Sequence, residues 1–307
     1  MIRISVIIPT LDRPEQLAVC LEALAREFPC DAETIVVSDG KGDLCPVLAR
    51  FVEPLRLRLV EAAYARPVGP AAARNRGLEV ACGEIVAFTD DDCRPAPGWV
   101  GKIAAGVVVS PPRAVGGTTC NGLPDNAYAD AAQLVLDLLS RHDRALVSRE
   151  RLLPSNNFAF PAEPLRRLGG FDESYRTAED RELCRRWAAA GFELRRVPLA
   201  LVLHDTRLGL TSFVRKFVAY GQGAARFHGS AARGSLRESI GFHLRLPALL
   251  LPELRARTPV RAAAIVALIV LWEWANVAGF VLQLARRRRR LEQGHDCPRS
   301  RSDTRTA

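Results

Sequence analysis

The sequence predicts an α/β domain, a mostly parallel sheet flanked by helices, with an apolar helical appendage behind it. Short apolar runs alternate with segments of helical spacing from the first residues onward, the order that builds βαβ units. One such run, Ile85-Val86-Ala87-Phe88, opens almost directly into Asp90, Asp91 and Asp92, and parallel sheets bind ligands at the carboxyl ends of their strands. The last third changes character: it carries an apolar stretch of about membrane-spanning length and five consecutive arginines, residues 286–290.

The elements follow in order. Residues 4–8 form an apolar strand stopped by Pro9, and residues 15–28 place Leu17, Leu21, Leu24 and Phe28 at helical spacing. A second buried strand at 34–38 ends in Asp39-Gly40, and 57–60 gives a third. Gly69-Pro70 opens a helix that runs to residue 81, because proline suits the first helical position. After the strand at 85–88 the pattern predicts a strand at 115–119, a helix at 128–139 and a strand at 156–160. A helix at 178–190 closed by Gly191 comes next, then two short strands at 194–197 and 201–203, with His204 just past the last.

A chain of 307 residues has material for one large domain and an appendage. Its net charge of +9 is uneven: residues 206–307 hold eighteen basic and six acidic side chains, so this part carries +12 and residues 1–205 carry −3. Nucleic-acid binding would need a basic stripe with aromatics on the folded domain, so no nucleic-acid partner is expected. The arginine cluster follows an apolar stretch instead, which points to a membrane surface. Eight cysteines without a CxxC pair, and an N-terminal apolar run too short for a secretory signal, predict reduced thiols and a cytoplasmic domain.

In the tail, residues 262–285 contain Trp272, Glu273 and Trp274, and the shorter stretch 240–254 contains His243 and Arg245. A single span would put the basic end outside, against the positive-inside tendency. A helical hairpin, or helices lying in the interface, at the cytoplasmic face of the inner membrane is therefore expected across 240–290; the alternative is a buried core helix. Upstream, in 206–239, Phe213, Phe217, Tyr220 and Phe227 recur near helical spacing between Arg215, Lys216 and Arg226, which suits either an interfacial helix or packing on the first domain. Residues 291–307 read as a basic disordered tail.

The three carboxylates at 90–92 repel one another at low dielectric, and a hard divalent ion carried by a diphosphate relieves this; a solvated acidic turn is the plainer alternative. Together with Ser5-Val6-Ile7-Ile8-Pro9-Thr10, Val37-Ser38-Asp39-Gly40, the stretch from Gly69 through Arg74-Asn75-Arg76-Gly77, and Gly169-Gly170-Phe171-Asp172-Glu173 before Glu179-Asp180, the triplet resembles the family 2 glycosyltransferases of GT-A fold. The likeness covers roughly residues 1–205.

The resemblance implies an inverting transferase that takes a UDP-, GDP- or dTDP-linked sugar with Mg²⁺ or Mn²⁺ and hands it to a glycan or lipid-linked acceptor. It implies that Asp90 meets ribose or metal and Asp92 the metal, with His204 either a further ligand or structural. Asp91 belongs to the donor region but points elsewhere by strand alternation. Pro9, Thr10 and Asp39 would form the wall that receives the base, Asp39 being otherwise a turn residue, while Arg74 and Asn75 would meet the nucleotide. Asp180 would be the catalytic base or, with Thr177 three residues before it, part of a helix cap; Glu179 would orient an acceptor hydroxyl. Asn157, Gly169 and Gly170 would line the sugar and acceptor pocket.

Two departures stand out. Ser38 and Lys41 surround Asp39 where many relatives carry a second acid, which leaves the base open, and no Gln-x-x-Arg-Trp of the processive synthases is present, so single-sugar addition is expected. Two rivals remain. One is a catalytically silent membrane scaffold of the same fold; the other is a nucleotidyltransferase, which would want a glycine-rich phosphate loop where Pro9-Thr10-Leu11-Asp12-Arg13-Pro14 stands.

Overall fold

The structure, a computed structural model, describes residues 2–61, 67–145, 153–230 and 234–292. The chain begins with β1 (Ile4–Thr10), α1 (Pro14–Ala25) and β2 (Ala32–Ser38), then the short helices α2 (Cys45–Leu48) and α3 (Val52–Leu55) before β3 (Leu57–Glu61). Next come α4 (Pro70–Val80), β4 (Ile85–Thr89), β5 (Cys93–Pro95), α5 (Trp99–Gly106) and β6 (Arg113–Asn121). They are followed by α6 (Ala127–Ala145), β7 (Asn157–Pro161), α7 (Ala162–Arg167), α8 (Glu179–Ala189) and β8 (Glu193–His204). Three long helices end the described chain: α9 (Leu210–Ser230), α10 (Gly234–Arg255) and α11 (Pro259–Glu292).

All eight strands form one sheet in the order β3-β2-β1-β4-β7-β6-β8-β5. The pairs β3/β2, β2/β1, β1/β4 and β6/β8 are parallel and the other three antiparallel, so the sheet is more mixed than the sequence predicts. The two strands expected at 194–197 and 201–203 are one strand, β8, whose register against β6 shifts between Gly116 and Thr118. A β-bulge breaks the local alternation without ending the strand, which is why the pattern reads as two.

Strands β1, β2, β4 and β7 bury both faces. On β1, Val6 and Ile8 join Leu17 and Leu21 of α1 and Trp99 and Ile103 of α5 in one core layer. Ile7 points the other way, to Ala71 and Ala73 of α4 and Leu183 and Trp187 of α8. Strands covered on both sides read as unbroken apolar runs, and β1, β2 and β4 do. A third cluster lies among the helices: Leu134, Val135 and Leu138 of α6 pack with Phe213 and Phe217 of α9, Phe242 and Leu246 of α10, and Ile265, Ile269 and Trp272 of α11. The aromatic face of α9 is thus turned inward, with Phe213, Phe217 and Phe227 buried.

On α11 the buried positions Ile265, Ile269, Trp272 and Ala275 follow one stripe, while Val260, Val270, Trp274, Val277 and Val281 are exposed. This helix, residues Pro259–Arg289, is long and apolar enough to cross a membrane. The disordered tail expected from residue 291 lies almost wholly outside the described residues.

Candidate functional site

The site forms where the carboxyl ends of β1, β2 and β4 meet the start of α8 and the end of β8. Parallel pairing of β1 with β4 sets Ile7 beside Phe88, so the loop after Thr10 and the acid triplet leave the sheet together. Thr10 Oγ1 donates to Asp91 Oδ2 at 2.7 Å, and the Arg13 guanidinium contacts Asp91 at 2.5 Å and Asp92 Oδ2 at 3.3 Å. Asp91 is fully buried, and burial raises its carboxyl to a pKa of about 6 against the opposing pull of Arg13 and Thr10. It braces the triplet from inside the fold rather than facing a ligand. Pro9 sits in the strand opposite Val37, and Thr10 is buried with its hydroxyl committed to Asp91.

Asp90 and Asp92 lie on either side of that brace. Asp90 Oδ1 accepts from Arg74 Nη2 at 2.8 Å, and Arg74 Nη1 reaches Glu179 Oε1, also at 2.8 Å. Arg74 is 2% exposed and lies over the Phe171 ring, so this is a buried carboxylate–guanidinium–carboxylate unit joining α4, the triplet and α8. The arginine does not stand free toward a nucleotide, as the resemblance implies; it ties two acidic segments into one group.

Asp92 meets the end of β8. Antiparallel pairing puts Cys93 opposite His204, and His204 Nε2 comes to 3.3 Å from Asp92 Oδ1. The same nitrogen lies 2.7 Å from Thr206 Oγ1, and Asn156 Nδ2 approaches the other at 3.5 Å. Burial penalises the Asp92 charge, but the hydrogen bond and charge of His204 and the charges of Arg13 and Lys216 hold its carboxyl well below the usual range. Ligand atoms of Asp92, Cys93 and His204 all lie within 4.8 Å of one another. Burial drives the Cys93 thiol well above its ordinary pKa, so it stays protonated and is no match for a hard cation. A carboxylate with an imidazole, Asp92 and His204, could hold Mn²⁺, or Mg²⁺ less closely. Both acids of the expected metal set also meet an arginine, Asp90 Oδ1 at 2.8 Å from Arg74 and Asp92 Oδ2 at 3.3 Å from Arg13.

Asp180 lies one residue beyond Glu179, in the first turn of α8. Its Oδ1 accepts from Arg181 N at 2.7 Å and its Oδ2 from Ser155 N at 3.4 Å, and burial raises its pKa despite these bonds. The residue ahead of the helix, Ala178, takes φ +67°, an uncommon conformation for alanine that turns the chain sharply into Glu179. Thr177 does not cap α8: its hydroxyl donates to Ala219 O of α9 at 2.8 Å. Thr177 thus takes no part in a cap, whereas Asp180 satisfies one first-turn N–H of α8, that of Arg181.

Other candidates serve as struts. Asp39 accepts Val68 N at 2.9 Å and Gly69 N at 2.8 Å, fixing the entry to α4. Each of its oxygens keeps a free lone pair. Asn75 exchanges bonds with Phe171 N and O at 2.8 and 2.9 Å and clasps the loop at Gly169 and Gly170, both with positive φ. A side chain at Gly170 would run into Asn75, so this glycine is set by loop packing. Asn157 is fully buried, bonded to Trp99 Nε1, Thr118 O and Ala200 O at 2.9, 2.9 and 3.0 Å. It stitches β6, β7 and β8 at the bulge. Arg13, which the sequence reading passed over, becomes legible only once β1 and β4 are known to be neighbours.

Residues 5–149 match the family model Glycosyl transferase family 2. The pre-mycofactocin glycosyltransferase of Mycobacterium tuberculosis is 34% identical over 197 residues, which cover 62% of this chain and 41% of that protein. This chain thus spans less than half the length of that relative. Among solved structures, the mannosyltransferase PcManGT from Pyrobaculum calidifontis, in complex with GDP-Man and Mn²⁺, aligns over 92% of this chain and 87% of its own at 23% identity, with a TM-score of 0.64. GalNAc-T7 with UDP, GalNAc and Mn²⁺ aligns over 73% and 51% at 15% identity, with a TM-score of 0.52. Motif order, matched segment and shared sheet converge: residues 5–149 are similar to glycosyl transferase family 2, and the sheet is that of a GT-A fold.

Proposed function

We propose that the protein transfers a sugar, with inversion, from a nucleoside-diphosphate donor to an acceptor hydroxyl, with Asp180 as the base. The observation that carries this reading is Arg74, which joins Asp90 of the triplet to Glu179 beside Asp180 through two 2.8 Å contacts. Carboxylates far apart in sequence are thereby held as one unit at the mouth of the sheet, where a donor and an acceptor can meet.

Asp39 offers its free lone pairs to a base edge at the end of β2. Asp92 and His204 would hold Mn²⁺ or Mg²⁺, which supplies positive charge toward the departing diphosphate when bound. Glu179, fixed by Arg74, orients the acceptor hydroxyl. Asp180 takes its proton from the face opposite the leaving group, and its raised pKa makes it a stronger base than an ordinary carboxylate. The acceptor is proposed to be lipid-linked or part of a cell-envelope glycan, and the protein to act at the cytoplasmic face of the inner membrane. The exposed apolar side chains of α10 and α11, Leu244, Val260 and Trp274 among them, and the arginines at the end of α11 support this.

The test is calorimetric titration of the full chain with UDP, GDP, CDP and dTDP, each with and without Mn²⁺. Mn²⁺-dependent binding of one nucleotide is expected. Absence of binding to all four by a folded protein overturns the reading in favour of a silent scaffold.

A further inference from the structure

Helix α9 lies wholly beyond the segment that matches the family model, yet it is anchored on the acidic edge of the site. Ala219 O receives the Thr177 hydroxyl two residues before Glu179, and Gly223 fits against Thr177 so closely that no larger residue has room. Arg226 donates to Ser174 Oγ at 2.6 Å and covers the Tyr175 ring, while Arg181 and Arg185 of α8 lie over Phe227. The helix is thereby fixed in position along its length relative to Asp180.

One face of α9 looks into the site. Lys216 and Tyr220 are four residues apart, neighbours on a helix surface, and Lys216 Nζ lies 5.8 Å from the Tyr220 ring centre. The strongest charges acting on the Lys216 ammonium, after the cost of its burial, are those of Asp92 and Asp90. Those on the Tyr220 hydroxyl, again after burial, are Asp180, Glu179, Asp90 and Asp92. Ala219, beside Tyr220, accepts the Thr177 hydroxyl at 2.8 Å, so this stretch of α9 lies against the start of α8. Tyr220 remains 38% exposed.

Charge accounting gives Lys216 a task. Asp90, Asp91, Asp92, Glu179 and Asp180 converge here, and the guanidiniums of Arg13 and Arg74 are spent on four of them. Among the described residues Lys216 makes no ion pair, so its three N–H donors stay available on the Asp92 side, where a diphosphate would sit. We infer that Lys216 is a phosphate-binding residue that grips the terminal phosphate of the donor's diphosphate as it leaves, with Tyr220 lining the passage from that phosphate to Asp180. The inference rests on the transferase reading above and deepens it: α9 completes the site, so residues 1–205 alone are short of one cation.

The experiment uses the full chain with Mn²⁺ and the nucleoside diphosphate that the wild type binds, beside its monophosphate. Lys216→Met keeps the packing of the stem and removes the charge. It is expected to weaken diphosphate binding by about ten- to a hundredfold, the worth of a charge-assisted hydrogen bond, and monophosphate binding by less than about twofold. Lys216→Arg is expected to restore most of the loss. Equal effects on both nucleotides, or none, overturn the inference. Unchanged donor binding with a raised KM for a polyprenyl-phosphate acceptor also overturns it, by assigning the lysine to the acceptor's phosphate. A wild type that binds no nucleotide refutes the transferase reading itself, so the two failures are distinct.

Discussion

Replacing Arg74 by Met separates a structural tie from a simple nucleotide contact. The side chain is 2% exposed and makes two 2.8 Å ion pairs, to a Glu179 side chain 9% exposed and an Asp90 side chain 25% exposed. Methionine fills similar space but leaves Glu179 buried without a counter-charge beside Asp180, and breaking such a pair from one side costs about 3–5 kcal/mol. For a domain of this size that lowers Tm by roughly 6–20 °C. Arg74→Lys places one point charge where a planar fork serves two carboxylates, so it loses about one charge-assisted bond, roughly 1.5–3 kcal/mol. Adding Glu179→Gln to Arg74→Met should recover part of the stability, because a neutral amide needs no counter-charge. Thermal unfolding followed by circular dichroism, with donor titration on the same samples, reads all three. An Arg74→Met protein within about 1 kcal/mol of wild type that loses only nucleotide affinity would refute the tie and return Arg74 to a direct contact.

Asp180→Asn should lower turnover by at least about a hundredfold while leaving Mn²⁺-dependent donor affinity nearly intact, and an active variant removes Asp180 from the base role. The base works only when ionised and its pKa is raised by burial, so turnover should fall with decreasing pH through a point above the ordinary carboxylate value of about 3.9, read from a kcat–pH profile. Asp92→Ala and His204→Ala should each weaken nucleotide binding in Mn²⁺ but hardly at all in EDTA; equal losses in both buffers would rule out the metal role. Gly279→Leu, whose side chain would meet the Val218 carbonyl, should open the α9/α11 seam and lower both stability and turnover, so unchanged turnover would detach these helices from the site. Vesicles with anionic lipid should capture the full chain in flotation, and capture unaffected by replacing Arg286 to Arg289 with Ser would refute the basic contribution.

The first half of the fold was legible because its strands are buried on both faces and their apolar runs need no alternation to be seen: β1, β2 and β4 differ from expectation only at their ends. β5 is only three residues long, and α5 lies beyond a Pro-rich turn. Neither carries enough periodicity to show. The acids of the site were legible as types, since crowded carboxylates at a strand end are uncommon, but their partners were not. Arg74 reads as a ligand contact in the sequence because its separation of 105 positions from Glu179 hides the pair. Asn157 reads as a pocket wall because nothing local announces that its amide spans a bulge in the sheet.

The C-terminal helices bear on the mechanism through how they are fastened. Gly221 fits against Asn276 and Gly279 against Val218, with no room for a larger residue at either contact, so α9 and α11 pack backbone to backbone. α9 is bonded in turn to Thr177, next to the turn that leads into Glu179 and Asp180. A helix of 31 residues extends about 46 Å, longer than a bilayer core of about 30 Å. To stand across a membrane it would have to carry α9 and α6 into the hydrocarbon, together with the charges they hold beside the acids. Glu273, costly at the centre of a span, is paired with His243 at 2.8 Å, and both remain partly exposed. The arrangement is consistent with α11 lying along the surface, its outer stripe in the headgroup region and its inner stripe on α9. A lipid-linked acceptor bound there would reach the cleft beside Tyr220 without leaving the interface, and membrane contact and site geometry would be parts of one rigid assembly.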